Sequence, residues 1–120
     1  MSNSKILICD DEEGVRESLK LILCNHYPLV VVETPEAALQ VLEQDKTIKT
    51  ALLDIRMPQI NGLELLGEIK SIRKDVKVIM VTGYKSVETA MEASKLGASG
   101  YIVKPFKNEE ILDVVRKNYK

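Results

Sequence analysis

Asp10, Asp11, Asp54, Thr82 and Lys104 are the residues of this chain whose types suit a common chemistry, although most of the chain separates the first from the last. Each ends or directly follows a short apolar run: "KILIC" before Asp10-Asp11, "TALLD" ending in Asp54, "KVIMVT" in Thr82 and "GYIVK" in Lys104. Gathered in one place, three carboxylates repel one another, and that repulsion raises at least one pKa. A hard divalent cation removes the conflict. Mg2+ takes oxygen ligands, usually one or two carboxylates with waters and phosphate oxygens. Asp11 and Asp54 are then the direct ligands, Asp10 binds directly or through water, and the backbone carbonyl of Arg56 completes the protein's share. A carboxylate is also a nucleophile toward phosphorus, and phosphoryl transfer requires in-line positioning and charge neutralisation. In that chemistry Asp54 takes the phosphoryl group. Lys104 offers a mobile point charge to one phosphate oxygen, and Thr82 a hydrogen bond to another.

Singly, each residue has a plainer explanation. Asp10-Asp11 could cap a helix, Asp54 open a turn, Thr82 belong to the turn "TGY", and Lys104 be a solvated strand end. The argument for chemistry is the joint pattern, and it depends on the elements that position these groups. Five apolar runs, Lys5–Cys9, Leu29–Glu33, Thr50–Asp54, Lys77–Thr82 and Gly100–Lys104, are short, often β-branched and do not alternate with polar residues. Strands of a parallel sheet buried on both faces read this way. Between them, Val15/Leu19/Ile22/Leu23, Leu65/Ile69/Ile72 and Val87/Ala90/Met91/Ser94 recur at helical spacing.

Thr34 with Pro35, Asn61 with Glu64, and Asn108 are N-terminal helix signals, and Gly97 marks a helix stop. One helix per right-handed crossover gives an α/β fold, a (βα)5 doubly wound, flavodoxin-like five-stranded parallel sheet with helices on both faces. It is expected to form one domain over residues 1–120. Ligands of such sheets sit beyond the carboxyl ends of the strands, where strand order reverses. That is where the runs above deliver their acids, hydroxyl and amine.

Composition narrows the field. The 120 residues are 45% hydrophobic, enough for one core. A formal charge of −1 with no basic cluster argues against contact with nucleic acid. Cys9 and Cys24 share no motif spacing and are expected to be reduced thiols packed in the core. His26 is the lone histidine, so neither a zinc cluster nor a His-based triad assembles easily. With no secretory signal and no apolar stretch near membrane-span length, a cytoplasmic protein free of the membrane is expected.

Taken in order, "ILICDDEEGVRESL", "LLDIRMPQINGLELL", "VIMVTGY" and "ASGYIVKPF" resemble the response-regulator receiver domain of two-component signalling over essentially the whole chain. The resemblance implies that Asp54 is the phospho-acceptor, charged by a histidine kinase or phosphotransfer protein. Asp10 and Asp11 match the acidic pair that holds Mg2+, for which Mn2+ substitutes. Thr82 matches the switch hydroxyl, Lys104 the site lysine, and Tyr101 the aromatic whose ring moves inward on activation. A cis peptide is implied at Lys104–Pro105, and Arg56 and Tyr84 occupy positions that tune how fast water removes the phosphoryl group.

The family implies a signalling switch and not a turnover enzyme. It takes phosphate from phosphohistidine with Mg2+ and slowly loses it, repacking the surface of the fourth helix, fifth strand and fifth helix. That surface is expected to control an output domain or target protein, and a phosphorylation-dependent homodimer through the same elements is a further partner expectation. "TGYKSVETAMEASKLGASGYIVKPF" is similar to receivers of enhancer-binding transcription activators, which suggests transcription regulation and a receiver excised from a longer protein. One departure is Thr34-Pro35 in place of the family's frequent Asn-Gly.

Three other readings share the fold. A haloacid-dehalogenase-type phosphatase also uses a strand-end Asp with Mg2+, but wants a second Asp where Arg56 stands. A flavodoxin-like cofactor binder needs a Ser/Thr/Gly-rich phosphate loop where "DDEEG" stands. A receiver-like interaction module that is never phosphorylated usually lacks the acceptor or the acid pair, and both are present.

Overall fold

The computed structural model describes residues 4–58 and 60–119; the expected span of 1–120 therefore includes residues outside the described ones. Strands and helices alternate: β1 (Lys5–Cys9), α1 (Glu13–Leu23), β2 (Leu29–Val32), α2 (Pro35–Gln44), β3 (Ile48–Leu53), α3 (Gly62–Ile72), β4 (Lys77–Thr82), α4 (Val87–Lys95), β5 (Ala98–Val103) and α5 (Asn108–Asn118). All strand pairings are parallel, in the order β2-β1-β3-β4-β5. The chain reverses its direction across the sheet between β1 and β3, so the crevice of such a fold lies at their carboxyl ends.

Strand pleating explains why the apolar runs do not alternate. Leu7, Cys9, Ala51, Leu53, Val78 and Met80 face one layer, with Leu42 of α2, Leu65, Leu66 and Ile69 of α3, and Ala93 of α4. The opposite parity, Ile6, Ile8, Leu52, Ile79 and Val81, faces Leu19 and Leu23 of α1 and Ile111 and Val115 of α5. Both parities are buried, so both must be apolar.

The helix signals hold with small shifts. Thr34 caps α2 by accepting the Ala37 amide at 3.2 Å, with Pro35 first in the helix. Asn61 caps α3 by accepting the Leu63 amide at 2.7 Å. At α5 the cap is Lys107 rather than Asn108: its backbone is extended and its amide is held by the Glu110 carboxylate at 2.8 Å. Gly97, at φ 105°, follows the last residues of α4 in the left-handed conformation that glycine adopts freely.

Other expectations need correction. Glu33, Asp54 and Lys104 lie just past their strands, because each falls beyond the last residue paired in the ladder. Cys24 is not in the core. It follows the last turn of α1 and is exposed, while Cys9 is buried, and both are free thiols. The Val87/Met91 stripe also faces solvent, at 72% and 57% exposure, because α4 packs through Ala93 instead. Among the described residues, no helix is long and apolar enough to cross a membrane.

Candidate functional site

Sheet register brings the predicted groups together. Cys9 pairs with Leu53, so the next residues, Asp10 and Asp54, leave adjacent strands side by side. Thr82 pairs with Val103, and the Lys104 amide donates to the Thr82 carbonyl at 2.7 Å, which sets Lys104 on the same rim. Asp10 and Asp54 use their oxygens alike. Asp10 Oδ1 accepts the Glu12 amide at 2.9 Å and Asp54 Oδ1 the Arg56 amide at 3.3 Å, each two residues on. Their Oδ2 atoms turn to Lys104 Nζ, at 3.3 Å and 3.0 Å. Glu12 is the third partner of that ammonium, at 3.1 Å.

The electrostatics follow from burial. Asp10 is 1% exposed and Asp54 3%. Burial pushes the Asp10 pKa up, against the lowering effect of the Glu12 amide and Lys104, and the Asp54 charge pushes it further. Burial works to lower the Lys104 pKa, but its bond to Asp54 and the nearby Asp10 charge outweigh this and raise it. The ammonium therefore stays charged. Cys9, directly before the acid pair, is driven to about 12 by burial and then by the Asp10 and Asp11 charges, so it is no nucleophile near neutral pH.

The donor chemistry fits a hard cation. Carboxylate oxygens of Asp10, Glu12 and Asp54 lie within 4.8 Å of one another, and such oxygens suit Mg2+. Glu12, which sequence reasoning missed, is part of this group, whereas Asp11 stands apart. Asp11 is exposed and lines an adjoining cavity of about 400 Å3 with Ile55, Arg56, Pro58, Asn61 and Tyr84. The acidic run "DDEE" was the available signal. Which of its members turns inward depends on where the first helix starts.

Arg56 and Tyr84 meet across this cavity: the guanidinium lies 5.1 Å from the Tyr84 ring centroid, and Arg56 Nε donates to the Tyr84 hydroxyl at 3.4 Å. Thr82 is fully buried and its Oγ1 accepts the Tyr84 amide at 3.3 Å. Tyr101 is half-buried against the core, and its hydroxyl donates to the Tyr84 carbonyl at 3.0 Å. Burial, then the Asp54 charge, raises the Tyr101 pKa. The Lys104–Pro105 bond is cis, as the resemblance implied.

Gly62 is a second residue that sequence reasoning undervalued. A Cβ there would stand 2.1 Å from the Asp54 carbonyl oxygen and 2.6 Å from Ile55 Cα. Its amide donates to the Ile55 carbonyl at 2.7 Å. Only glycine lets the start of α3 lie this close behind the loop that follows β3.

Residues 6–116 match the family model of the response regulator receiver domain. FleR of Pseudomonas aeruginosa, a response regulator protein, is 34% identical over 96% of this chain, and the sporulation initiation phosphotransferase F of Bacillus subtilis 33% over 98%. The matched region covers 24% of the former and 94% of the latter, and 52% of the transcriptional regulatory protein FixJ of Azorhizobium caulinodans. Among solved structures, the response regulator TrrA of Thermotoga maritima in complex with Mg2+ and BeF is 36% identical. Its TM-score is 0.85, with 95% of this chain and 97% of that one covered. A CheY-like receiver domain protein of Methanospirillum hungatei is 34% identical with TM-score 0.89, covering 97% and 93%. The chain belongs to the response regulator receiver domain family, whose members are signalling domains and not turnover enzymes.

Proposed function

We propose that Asp54 accepts a phosphoryl group from the phosphohistidine of a histidine kinase or phosphotransfer protein, and that this charge change switches the surface formed by α4, β5 and α5. The observation that carries the proposal is the convergence of the buried Asp54 and Asp10 carboxylates on Lys104 at the carboxyl rim. In the transfer, an Asp54 carboxylate oxygen bonds to phosphorus as the P–N bond to the imidazole breaks. Asp10 and Asp54 would hold Mg2+ (or Mn2+) with the Arg56 carbonyl, Glu12 lying in the same cluster and Asp11 joining them by turning in from the adjoining cavity, and the ion would supply positive charge to the transferring oxygens. Lys104, already 3.0 Å from Asp54, offers its ammonium to a phosphoryl oxygen.

The switch residues are wired through one backbone unit. The Tyr84 amide bonds to Thr82 Oγ1 and the Tyr84 carbonyl to the Tyr101 hydroxyl. When Thr82 turns its hydroxyl toward the phosphoryl group, it releases the Tyr84 amide, and the Tyr101 ring takes up a new packing. Such a two-state surface responds to any partner that binds one form alone. Exposed Val87, Met91 and Leu96 make the neighbouring face apolar, which suits an output domain, a target protein or a second copy. Residues 1–120 form one receiver unit in the cytoplasm. The name of the transcriptional regulatory protein FixJ supports transcription regulation by a domain outside this chain. Sporulation initiation phosphotransferase F, matched over nearly its full length, supports a phosphorelay intermediate instead.

The test is intact mass after incubation with Mg2+ and a small phosphodonor, on wild type and Asp54→Asn. The expected result is one added phosphoryl group on the wild type alone. Labelling of the variant, or steady release of phosphate without a labelled protein, would overturn the proposal.

A further inference from the structure

We propose that the groove between α2 and α3 is a second docking site, which takes a basic amphipathic helix of a partner protein. The groove encloses about 610 Å3 and is lined by Leu39, Gly67 and Ile72 together with Glu43, Glu64 and Glu68. Ile72 is 43% exposed, unusual for a residue of its type at helical spacing with the buried Leu65 and Ile69. None of these residues belongs to the acceptor site.

Two independent features identify the occupant. The first is charge. The whole chain carries −1, yet α2 and α3 together hold Glu36, Glu43, Glu64 and Glu68 against Lys70 alone. Lys70 is turned away, its ammonium donating to the Lys74 and Val76 carbonyls at 3.0 Å and 2.9 Å. Among the described residues these four glutamates form no ion pair, so their charge faces solvent. A cationic partner is complementary; nucleic acid and an anionic membrane are repelled.

The second feature is Gly67. It lies inside α3, where glycine is less favourable than alanine. A Cβ there would meet nothing within 4 Å, so no packing inside the molecule requires its absence. The space above it is the groove. Helix-in-groove recognition uses just this kind of opening, with apolar side chains at i, i+3, i+4 and i+7 entering and charges along the rim. A leucine stripe flanked by lysines satisfies both the apolar lining and the glutamates.

The experiment titrates the 15N-labelled chain with a synthetic lysine-rich helix bearing a leucine stripe at that spacing. A twin with glutamate for lysine and a scrambled peptide of equal composition serve as controls. Amide shifts centred on Leu39, Gly67 and Ile72 are expected with the lysine helix only. Gly67→Leu fills the opening, and Glu64→Lys with Glu68→Lys reverses the rim; each should weaken the affinity by about tenfold or more, read by fluorescence anisotropy. Both should still take one phosphoryl group at Asp54. Should Gly67→Leu fail to fold, the double charge reversal decides alone. Equal binding of the twin or the scrambled peptide, or an unchanged affinity in the folded variants, overturns the proposal. So do shifts centred on Val87 and Met91, and groove shifts that track the concentration of the chain by itself, which assign the groove to a second copy.

Discussion

Tyr84 bonds in three directions at once: its amide to Thr82, its carbonyl to Tyr101, and its phenol to Arg56. Its ring also lies beneath the guanidinium. Both side chains line the cavity beside Asp54, and their contact is a cation–π pair. Replacing Arg56 and Tyr84 together by alanine should shorten the life of the aspartyl phosphate by about tenfold, equal to about 1.4 kcal/mol of barrier. The decay of the added mass measures it, and an unchanged lifetime refutes the role. Gly62 acts by what it lacks. Gly62→Ala forces a methyl group into the Asp54 carbonyl and should destabilise the fold by about 1–3 kcal/mol in urea unfolding, as overpacking does.

At the level of elements, Arg73 ties the end of α3 to the turn between α2 and β3. It is buried, and its guanidinium donates to the carbonyls of Leu42 at 2.9 Å, Asp45 at 3.2 Å and Ile48 at 2.7 Å. Two further bonds of 3.0 Å reach the Asp75 carboxylate. This planar fork satisfies backbone groups that no helix or strand can satisfy there. Arg73→Ala leaves buried carbonyls without donors and should cost about 2–4 kcal/mol in urea unfolding. Arg73→Lys should recover only a small part, because one ammonium cannot span the same acceptors. Full recovery by lysine would show that the charge and not the fork matters.

For the whole molecule, the buried carboxylate at the strand rim costs stability. Asp10 has its pKa raised by burial in the folded state, so between the unfolded and folded values the native form holds more protons than the unfolded one. Stability therefore falls as pH rises through that window and stays reduced above it. Asp10→Asn removes the penalty. In Mg2+-free buffer at neutral pH the variant should melt above wild type, and the gap should close as pH falls toward the unfolded carboxylate value. Added Mg2+ should stabilise wild type and leave the variant nearly unmoved, since a ligand of the native state alone shifts unfolding by mass action. Calorimetry at several pH values tests both parts. A variant less stable than wild type at neutral pH would show that the pairing with Lys104 outweighs the burial of the charge.

The sequence by itself determined the elements and their order, because strand and helix periods, caps and apolar runs are local properties of the chain. It also singled out Asp10, Asp54, Thr82 and Lys104, since strand-end residues of a parallel sheet are carried to one rim whatever the details of packing. Tertiary structure alone decided which of the four acids in "DDEE" join Lys104, bringing Glu12 into the cluster and leaving Asp11 at the cavity. That choice depends on where the first helix begins relative to a neighbouring strand. The same holds for Gly62, Gly67 and Arg73, and for the outward face of α4. Their roles rest on distances between segments far apart in sequence, which no local pattern records.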